Sequence, residues 1–541
     1  MDSPTESGVK SSDVAKGSVI LLVCLFLSRV LGLVRDTVLA AQYGISDQND
    51  AYRIAFAVPD LIFMLLAGGG LSSAFIPVFA DYLHTDREEE AWQVFSDVIL
   101  AVLVVVSLLV IVLEFLVPTI LTGYTAGRPE IRADAILMSR ILLPAQIAFM
   151  VGSVFFGALY AQKKFLIPAI VPNVYNVSII TGALIGPHVY GGGIKAAAIG
   201  ALVGAVIGNI ILPLLVFRKI GGRFRPSFTF KHPGVKRFFI LLLPIILGFS
   251  LSAVLGLVSQ YFATPYGEGA NTSVSAASTI MQAPVGIFGQ SLALAIFPVL
   301  AQFVAQKRMD LYRDQISKTL RTAMFIAIPS AIFMAAMAEF LAHALYGYGQ
   351  ASGEVEKLAL IANLVRVYAV GVPFWIAQSI LIRGFFSLHQ TLKPVVMGTI
   401  ATVVFIGLCL GVKFAPVGTT AERLLSLAWA ANISVAVLTA ALYLSLEKLV
   451  GKLDFKGIAI TTGKSMIAAG VAGALIFGGT YLFNINSKTM VFTFVLLAVA
   501  IGGGIFAGIC KSLKMPETEY LDRMFAKMDK MAARFKKKPT A

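Results

Sequence analysis

The chain has 541 residues, of which 57% are hydrophobic and 13% charged. Soluble domains carry roughly 25% charged residues, so much of the charge that coats a water-exposed surface is missing and a soluble globular protein is excluded. The formal net charge is +15, and the basic residues lie in stretches between apolar blocks rather than on one face. This pattern points to membrane topology and anionic-lipid contact, not nucleic acid.

In chain order, residues 1–16 are polar and Ser-rich. The apolar stretch that follows runs directly into Arg29, Arg35 and Asp36 with no small-residue cleavage site, so no signal peptide is expected. Fourteen apolar blocks then approach the roughly 20 residues that cross a bilayer. Their limits are 17–40, 51–82, 92–121, 133–160, 165–186, 195–218, 236–263, 272–303, 315–346, 356–387, 394–412, 422–447, 457–483 and 489–511. With the N-terminus inside, the cytoplasmic loops hold Lys163 and Lys164, then Arg218 to Arg237, then Lys307 to Arg321, then Lys448 to Lys456. The opposite loops hold few cations, chiefly Arg128, Arg132, Lys357, Lys413 and Lys488. The positive-inside rule therefore predicts both termini in the cytoplasm. The tail, 512–541, ends in Arg534, Lys536, Lys537 and Lys538, which suits an anionic leaflet or a solvated end.

The chain repeats itself. Leu27 to Val34 (LSRVLGLV) returns as Leu251 to Val258 (LSAVLGLV), and Ala74 to Asp81 (AFIPVFAD) returns as Ala295 to Gln302 (AIFPVLAQ), in the same order and at nearly the same offset. Six helices separate the copies, so the copies share an orientation and an axis along the membrane normal. The expected architecture is an all-α polytopic membrane protein. A six-helix N-lobe covers 17–220, a basic linker 221–235 and a six-helix C-lobe 236–449; helices 13 and 14 fill 457–511.

The scaffold is duplicated but its charge is not. Arg29, Arg35 and Asp36 correspond to Ala253, Ser259 and Gln260 in the second copy. A charge at the bilayer centre costs about 2.5 to 3.5 kcal/mol on insertion scales, so it faces a wet cavity or a partner. The second span adds Arg53 and Asp60. It is interrupted by Pro59, by Gly68, Gly69 and Gly70, and by Pro77, as tolerated where backbone lines a cavity. Gly32, Pro59, Gly68, Gly69 and Gly70 are the expected hinge positions. Two readings stay open: a cationic pocket for an anionic head group, since guanidinium forks bind phosphate bidentately, or an internal Arg-Asp network with Arg53 snorkelling.

Asp97, Glu114 and Glu339 lie near span ends and read as interfacial. Gln260, Gln282 and Gln290 either line a C-lobe cavity or bond between helices. The three cysteines sit in apolar segments, and the five histidines have no partner at metal-ligand spacing. Gly463-Lys464-Ser465 lacks the earlier glycine of a phosphate loop, because Ile458 occupies that position. No catalytic residue, metal site or cofactor is expected, and the chain does not read as an enzyme.

The run Ser28-Arg29-Val30-Leu31-Gly32-Leu33-Val34-Arg35-Asp36, with Asp50-Ala51-Tyr52 and Ala74 to Tyr82, resembles the MurJ (MviN) family. These are lipid II flippases of the multidrug/oligosaccharidyl-lipid/polysaccharide exporter superfamily. Gly384 to Leu388 leading to Lys393-Pro394 supports the likeness, which spans essentially the whole chain. It implies a monomeric transporter in a bacterial inner membrane, serving cell-wall synthesis by alternating access. Its cargo would be undecaprenyl-pyrophosphate-linked disaccharide pentapeptide, entering between the lobes. Ser28, Arg29 and Arg35 would meet the pyrophosphate with Asp36 orienting, and a groove bounded by helices 13 and 14 would take the lipid tail. Where the family places an arginine pair, this chain has Phe63 and Met64; where it has an arginine and a glutamate in the eighth helix, this chain has Thr279 and Gln282. Arg53 is expected to compensate. Membrane potential, Na+ and H+ all remain compatible as energy sources. The alternatives are a flippase for another lipid-linked oligosaccharide, a cation-coupled drug exporter, and an enzyme acting on polyprenyl phosphates.

Overall fold

A computed structural model describes residues 11–64, 70–85, 87–189, 193–227, 232–249, 254–415, 418–483 and 487–519. Gly68, Gly69 and the basic end of the tail lie outside them. Apart from short turns the described residues are helical, with no strand among them. Among the described residues eleven helices are long and apolar enough to cross a membrane. The three other expected spans correspond to α1, to the broken series α2–α4, and to the pair α10 and α11.

Contacts divide the chain into two compact units. One comprises residues 1–272 with 348–354, the other 273–347 with 355–541. The first holds α1 (Ser11–Tyr43), α2 (Asp47–Ala55), α3 (Ala57–Ile62), α4 (Gly70–Leu83), α5 (Glu88–Tyr124) and α6 (Arg132–Ala161). It continues with α7 (Leu166–Val189), α8 (Lys195–Val206), α9 (Leu212–Phe217), α10 (Pro233–Phe249) and α11 (Val254–Ala263). Helix α12 (Ala270–Pro284) begins at the division. The second unit holds α13 (Gln290–Ala305), α14 (Met309–Ala336), α15 (Ala338–Tyr346), α16 (Val355–Ser387), α17 (Leu392–Phe414), α18 (Thr420–Val450), α19 (Phe455–Thr480) and α20 (Lys488–Ser512).

The duplication and the packing draw their boundaries at different places. By sequence the second copy starts near 236, yet α10 and α11 pack with the first unit. The reason is aromatic and close: Phe238 meets Phe75 at 6.2 Å, and Gly234 lies where any Cβ would come within 2.8 Å of Val94. Phe75, Phe79, Trp92, Phe95, Phe155 and Phe217 continue this cluster, with ring centroids 5.1 Å apart for Phe79–Trp92 and 5.2 Å for Phe95–Phe155. The linker is also tied down. Buried Asp97 accepts the Ser227 N–H at 2.6 Å and its hydroxyl at 2.7 Å, and the Arg225 N–H donates to Ser96 at 2.9 Å. Asp97 is therefore an anchor of the linker rather than an interfacial charge.

Small residues let α7 and α8 touch backbone to backbone. A Cβ on Gly182 would stand 2.3 Å from the Ala196 carbonyl oxygen, and one on Gly200 would stand 2.4 Å from that of Ser178. No flexible side chain can yield there, so overpacking costs at least about 1 to 3 kcal/mol. Gly200→Leu should lower the melting temperature of the detergent-purified protein and its yield. An unchanged melt would show that the helices separate freely.

Beyond the cluster lies a buried ion network. Arg128, 6% exposed, pairs with Asp47 and Glu130, and its Nη1 stands 3.7 Å from Asp50 Oδ2. Asp50, fully buried, accepts the Thr272 N–H at 2.8 Å and its hydroxyl at 2.7 Å. In the second unit, Phe325, Phe340, Phe494 and Phe506 join α14, α15 and α20. Lys464 donates to the Leu513 carbonyl at 3.0 Å, a structural use of the residue that imitated a phosphate loop.

Candidate functional site

The first unit holds a cavity of about 740 Å³ whose polar residues converge from α1, α2, α3, α4, α6, α7, α11 and the π-helical turn Ile207–Ile211. Local sequence explains how each helix delivers its group. Pro59 has no N–H to give the Ala55 carbonyl, so the chain breaks between α2 and α3 at Phe56 (φ −76°, ψ −13°). Arg53, in the last turn of α2, and Asp60, in the first turn of α3, both line the cavity. The backbone is π-helical at Phe63 and Met64. At the positions where the resemblance would place arginines, Phe63 forms cavity wall edge-on to Phe149 at 5.5 Å, and Met64 packs into the core. That wall is aromatic, not cationic.

Helix α1 packs along α7, and Arg35 sits on this seam. Its Nε and Nη2 donate to Asp36 Oδ1 at 3.0 and 2.9 Å, and its Nη1 donates to Asn176 Oδ1 at 3.2 Å. Asn176 donates in turn to the Pro172 carbonyl at 3.0 Å and toward the Ser28 carbonyl and hydroxyl at 3.4 and 3.5 Å. Asp36 is 4% exposed, so its charge depends on this pairing. Arg53 differs: its Nε and Nη2 are buried and find no partner among the described residues. The Oε1 atoms of Gln146 and Gln260 are in the same state, and both side chains line the cavity.

The structure thus brings Arg35, Asp36, Arg53, Asp60 and Gln260 together around one space. Ser28 reaches that group only through Asn176. Arg29 is exposed and is not among the lining residues. It shares its azimuth on α1 with Asp36 but lies seven residues earlier, roughly 10 Å along the axis. Gly32 faces open space, with nothing within 4 Å of a Cβ built on it. Thr279 and Gln282 belong to the second unit, where Gln282 is exposed and donates to Ser278 at 3.3 Å. Of the interfacial candidates, Glu114 pairs with Arg140 at 3.6 Å and Glu339 with Arg366 at 2.6 Å.

Sequence reading missed Tyr52, Gln146, Tyr175, Asn176 and Asn209, all in or beside this wall. The available signal was polarity inside apolar spans: Asn173 and Asn176 follow the helical Pro172 by one and four residues, and Asn209 sits in a π-helical turn. In the second unit a larger cavity, about 950 Å³, is walled by α14, α16, α18 and α19. It draws on the thirteenth expected span and not on the fourteenth.

A model of the family described as lipid II flippase MurJ matches residues 39–500. A probable lipid II flippase MurJ of Thermotoga maritima is 29% identical over 371 residues, 68% of this chain and 73% of that protein. The lipid II flippase MurJ of Burkholderia cenocepacia is 27% identical over 382 residues, 68% and 72% of the two chains. Among solved structures, a lipid II flippase MurJ in an inward closed conformation superposes with a TM-score of 0.74 at 23% identity, over 92% of this chain and 99% of that one. An inward-facing multidrug resistance MATE family transporter of the MOP superfamily gives 0.65 at 16% identity, over 82% and 99%. The structural likenesses establish the fold, and the family match, which runs from the end of α1 into α20, establishes kinship: the chain is a multi-span membrane protein of the lipid II flippase MurJ family.

Proposed function

We propose that this protein moves lipid II, the undecaprenyl-pyrophosphate-linked disaccharide pentapeptide, from the cytoplasmic to the outer leaflet of a bacterial inner membrane. It does so by alternating access, with both termini in the cytoplasm and without chemical change to its cargo. The carrying observation is the pairing, in one cavity of the first unit, of a satisfied arginine with an unsatisfied one. Arg35 is fixed by Asp36 and Asn176, whereas the buried nitrogens of Arg53 have no partner among the described residues.

A diphosphate supplies what that cavity lacks. It carries several acceptor oxygens, and a guanidinium fork engages two at once. Arg53 supplies free donors, Arg35 a preset charge, and Asp36 keeps Arg35 in place without closing its outer edge. Gln146 and Gln260 offer carbonyl oxygens to the hydroxyl and amide groups of a sugar–peptide head. Asp60 faces the same space and is the group through which Na+ or H+ could be coupled to the cycle. A cationic drug as cargo is disfavoured, because no free arginine nitrogen would be satisfied by a cation.

The test is complementation. In bacteria depleted of their own lipid II flippase, the parent chain should restore growth and the exposure of lipid II on the outer leaflet. The Arg29→Ala/Arg35→Ala double variant, inserted at the parental level, should not. A parent that folds in the membrane and restores nothing would move the cargo to a different lipid-linked glycan, and equal rescue by both would remove Arg35 from the site.

A further inference from the structure

The second unit carries a surface whose chemistry changes along its length. On α14, residues 313, 317, 320, 324, 328, 331 and 335 follow one another at three- and four-residue steps and so occupy one helical face. From Leu320 to Ala335 this face walls the apolar cavity of about 950 Å³. That run is roughly 22 Å long at 1.5 Å per residue, enough to hold a hydrocarbon chain reaching through one leaflet, about 15 Å deep. Helix α18 provides the opposite wall through Ala436, Ala440 and Tyr443.

Before Leu320 the same face carries Ser317 and Arg313, and the neighbouring residues of α14 and the turn after α18 add further cations. Arg313, Lys318, Arg321 and Lys452 surround a smaller pocket of about 220 Å³ together with Asp314, Ser317 and Asp454. The two spaces adjoin through consecutive residues, Leu320 with Arg321 and Phe455 with Asp454. Both carboxylates of the small pocket are already engaged, Asp314 by Lys318 at 2.6 Å and Asp454 by Arg321 at 3.6 Å. Arg321 is engaged further by Glu517 at 2.8 Å. Arg313 and Lys452 make no hydrogen bond or ion pair among the described residues. The Arg313 guanidinium lies over Gly451, where a Cβ would come within 2.6 Å of Nη1; the glycine, at φ +94°, leaves the turn open for it.

We propose that this surface is a binding site for an anionic glycerophospholipid, its phosphate between Arg313 and Lys452 and one acyl chain along the α14–α18 groove. The positive-inside pattern sets this end at the cytoplasmic leaflet, where anionic lipids are concentrated and basic pockets between helices capture their head groups. The occupant is a bilayer lipid rather than the transported one: the groove matches an ordinary acyl chain and is shorter than a polyprenyl chain, and its polar end is lined by two cations unpaired among the described residues, enough for one phosphate. The site is separate from the cavity of the first unit and does not rest on the cargo assigned to it.

The full chain, purified in detergent, is titrated with phosphatidylglycerol or with phosphatidylcholine of the same acyl length, and bound lipid is counted by native mass spectrometry. Phosphatidylglycerol should bind more tightly, and Arg313→Gln/Lys452→Gln should cut its affinity about tenfold or more while leaving phosphatidylcholine unchanged. Ala440→Trp places a ring in the groove from an exposed position, so it should weaken both lipids with the fold intact. Equal affinity for the two lipids, or a double variant indistinguishable from the parent, overturns the proposal. So does full displacement by millimolar glycerol phosphate, which would show that no chain is held, or tighter binding of a polyprenyl phosphate, which would return the groove to the cargo.

Discussion

Arg53→Ala should abolish rescue of flippase-depleted cells as completely as Arg35→Ala, yet leave the purified protein at least as stable as the parent. The two arginines line one cavity but stand in different energetic positions. Arg35 donates to Asp36 and Asn176, so its loss strands a carboxylate that is 4% exposed and should lower both stability and transport. Arg53 holds two buried nitrogens without partners among the described residues, an arrangement that destabilises the empty protein and becomes favourable only when acceptors arrive. A residue kept for structure has its donors satisfied; one kept for a ligand does not. Hydrogen bonds to a charged group contribute about 1.5 to 3 kcal/mol each, so losing one or two from a bound diphosphate should slow lipid II export by about two orders of magnitude. Arg53→Lys keeps the charge but not the fork and should fall between. The measurements are outer-leaflet lipid II exposure and thermal melting on the same variants. Unimpaired export removes Arg53 from the site, and a sharp loss of melting temperature makes it a structural residue.

The parts of this molecule that were legible in its sequence are those the bilayer makes expensive. Fourteen apolar stretches could be drawn because a span needs about 20 residues without charge, and Arg35, Asp36, Arg53 and Asp60 stood out because they violate that rule. What could not be read was direction and partnership. Periodicity placed Arg29 on the side of Asp36, but only the path of α1 shows that it is exposed two turns away from the lined cavity. Asn176 is unremarkable as a residue in an apolar helix; its role comes from α1 lying along α7, a contact between positions 141 residues apart. The internal repeat marked where the second copy begins, whereas packing puts α10 and α11 with the first unit, α10 through the ring contact of Phe238 with Phe75 and α11 through those of Tyr124 with Tyr261 and the Leu257 carbonyl. The aromatic wall at Phe63 was visible only as a missing arginine; its pairing with Phe149 required coordinates.

Arg128 is the clearest reversal, and the second large effect follows from it. By sequence it is one of the few cations of the loops opposite the cytoplasm. In the fold it is 6% exposed and holds three carboxylates. Two of these, Asp47 and Glu130, have side chains 40% and 50% exposed, and pairs of that kind contribute about 0 to 1 kcal/mol. The third, Asp50, is fully buried; its Oδ1 takes both hydrogen bonds from Thr272 and its Oδ2 has only the Arg128 guanidinium, 3.7 Å away. Arg128→Ala therefore leaves a buried carboxylate with no ion-pair partner within 4 Å among the described residues and only the more distant charge of Arg53 to offset it, a loss of about 3 to 5 kcal/mol. The expected result is the steepest fall in melting temperature of any single substitution in the first unit, with little folded protein recovered. The cause can be separated from lost packing by removing the charge itself. In Arg128→Ala/Asp50→Asn the amide oxygen still accepts from Thr272 and no uncompensated charge remains, so most of the stability should return. If the double variant melts no higher than Arg128→Ala, the buried charge is not what Arg128 neutralises, and its exposed partners or the packing of its stem must account for the loss.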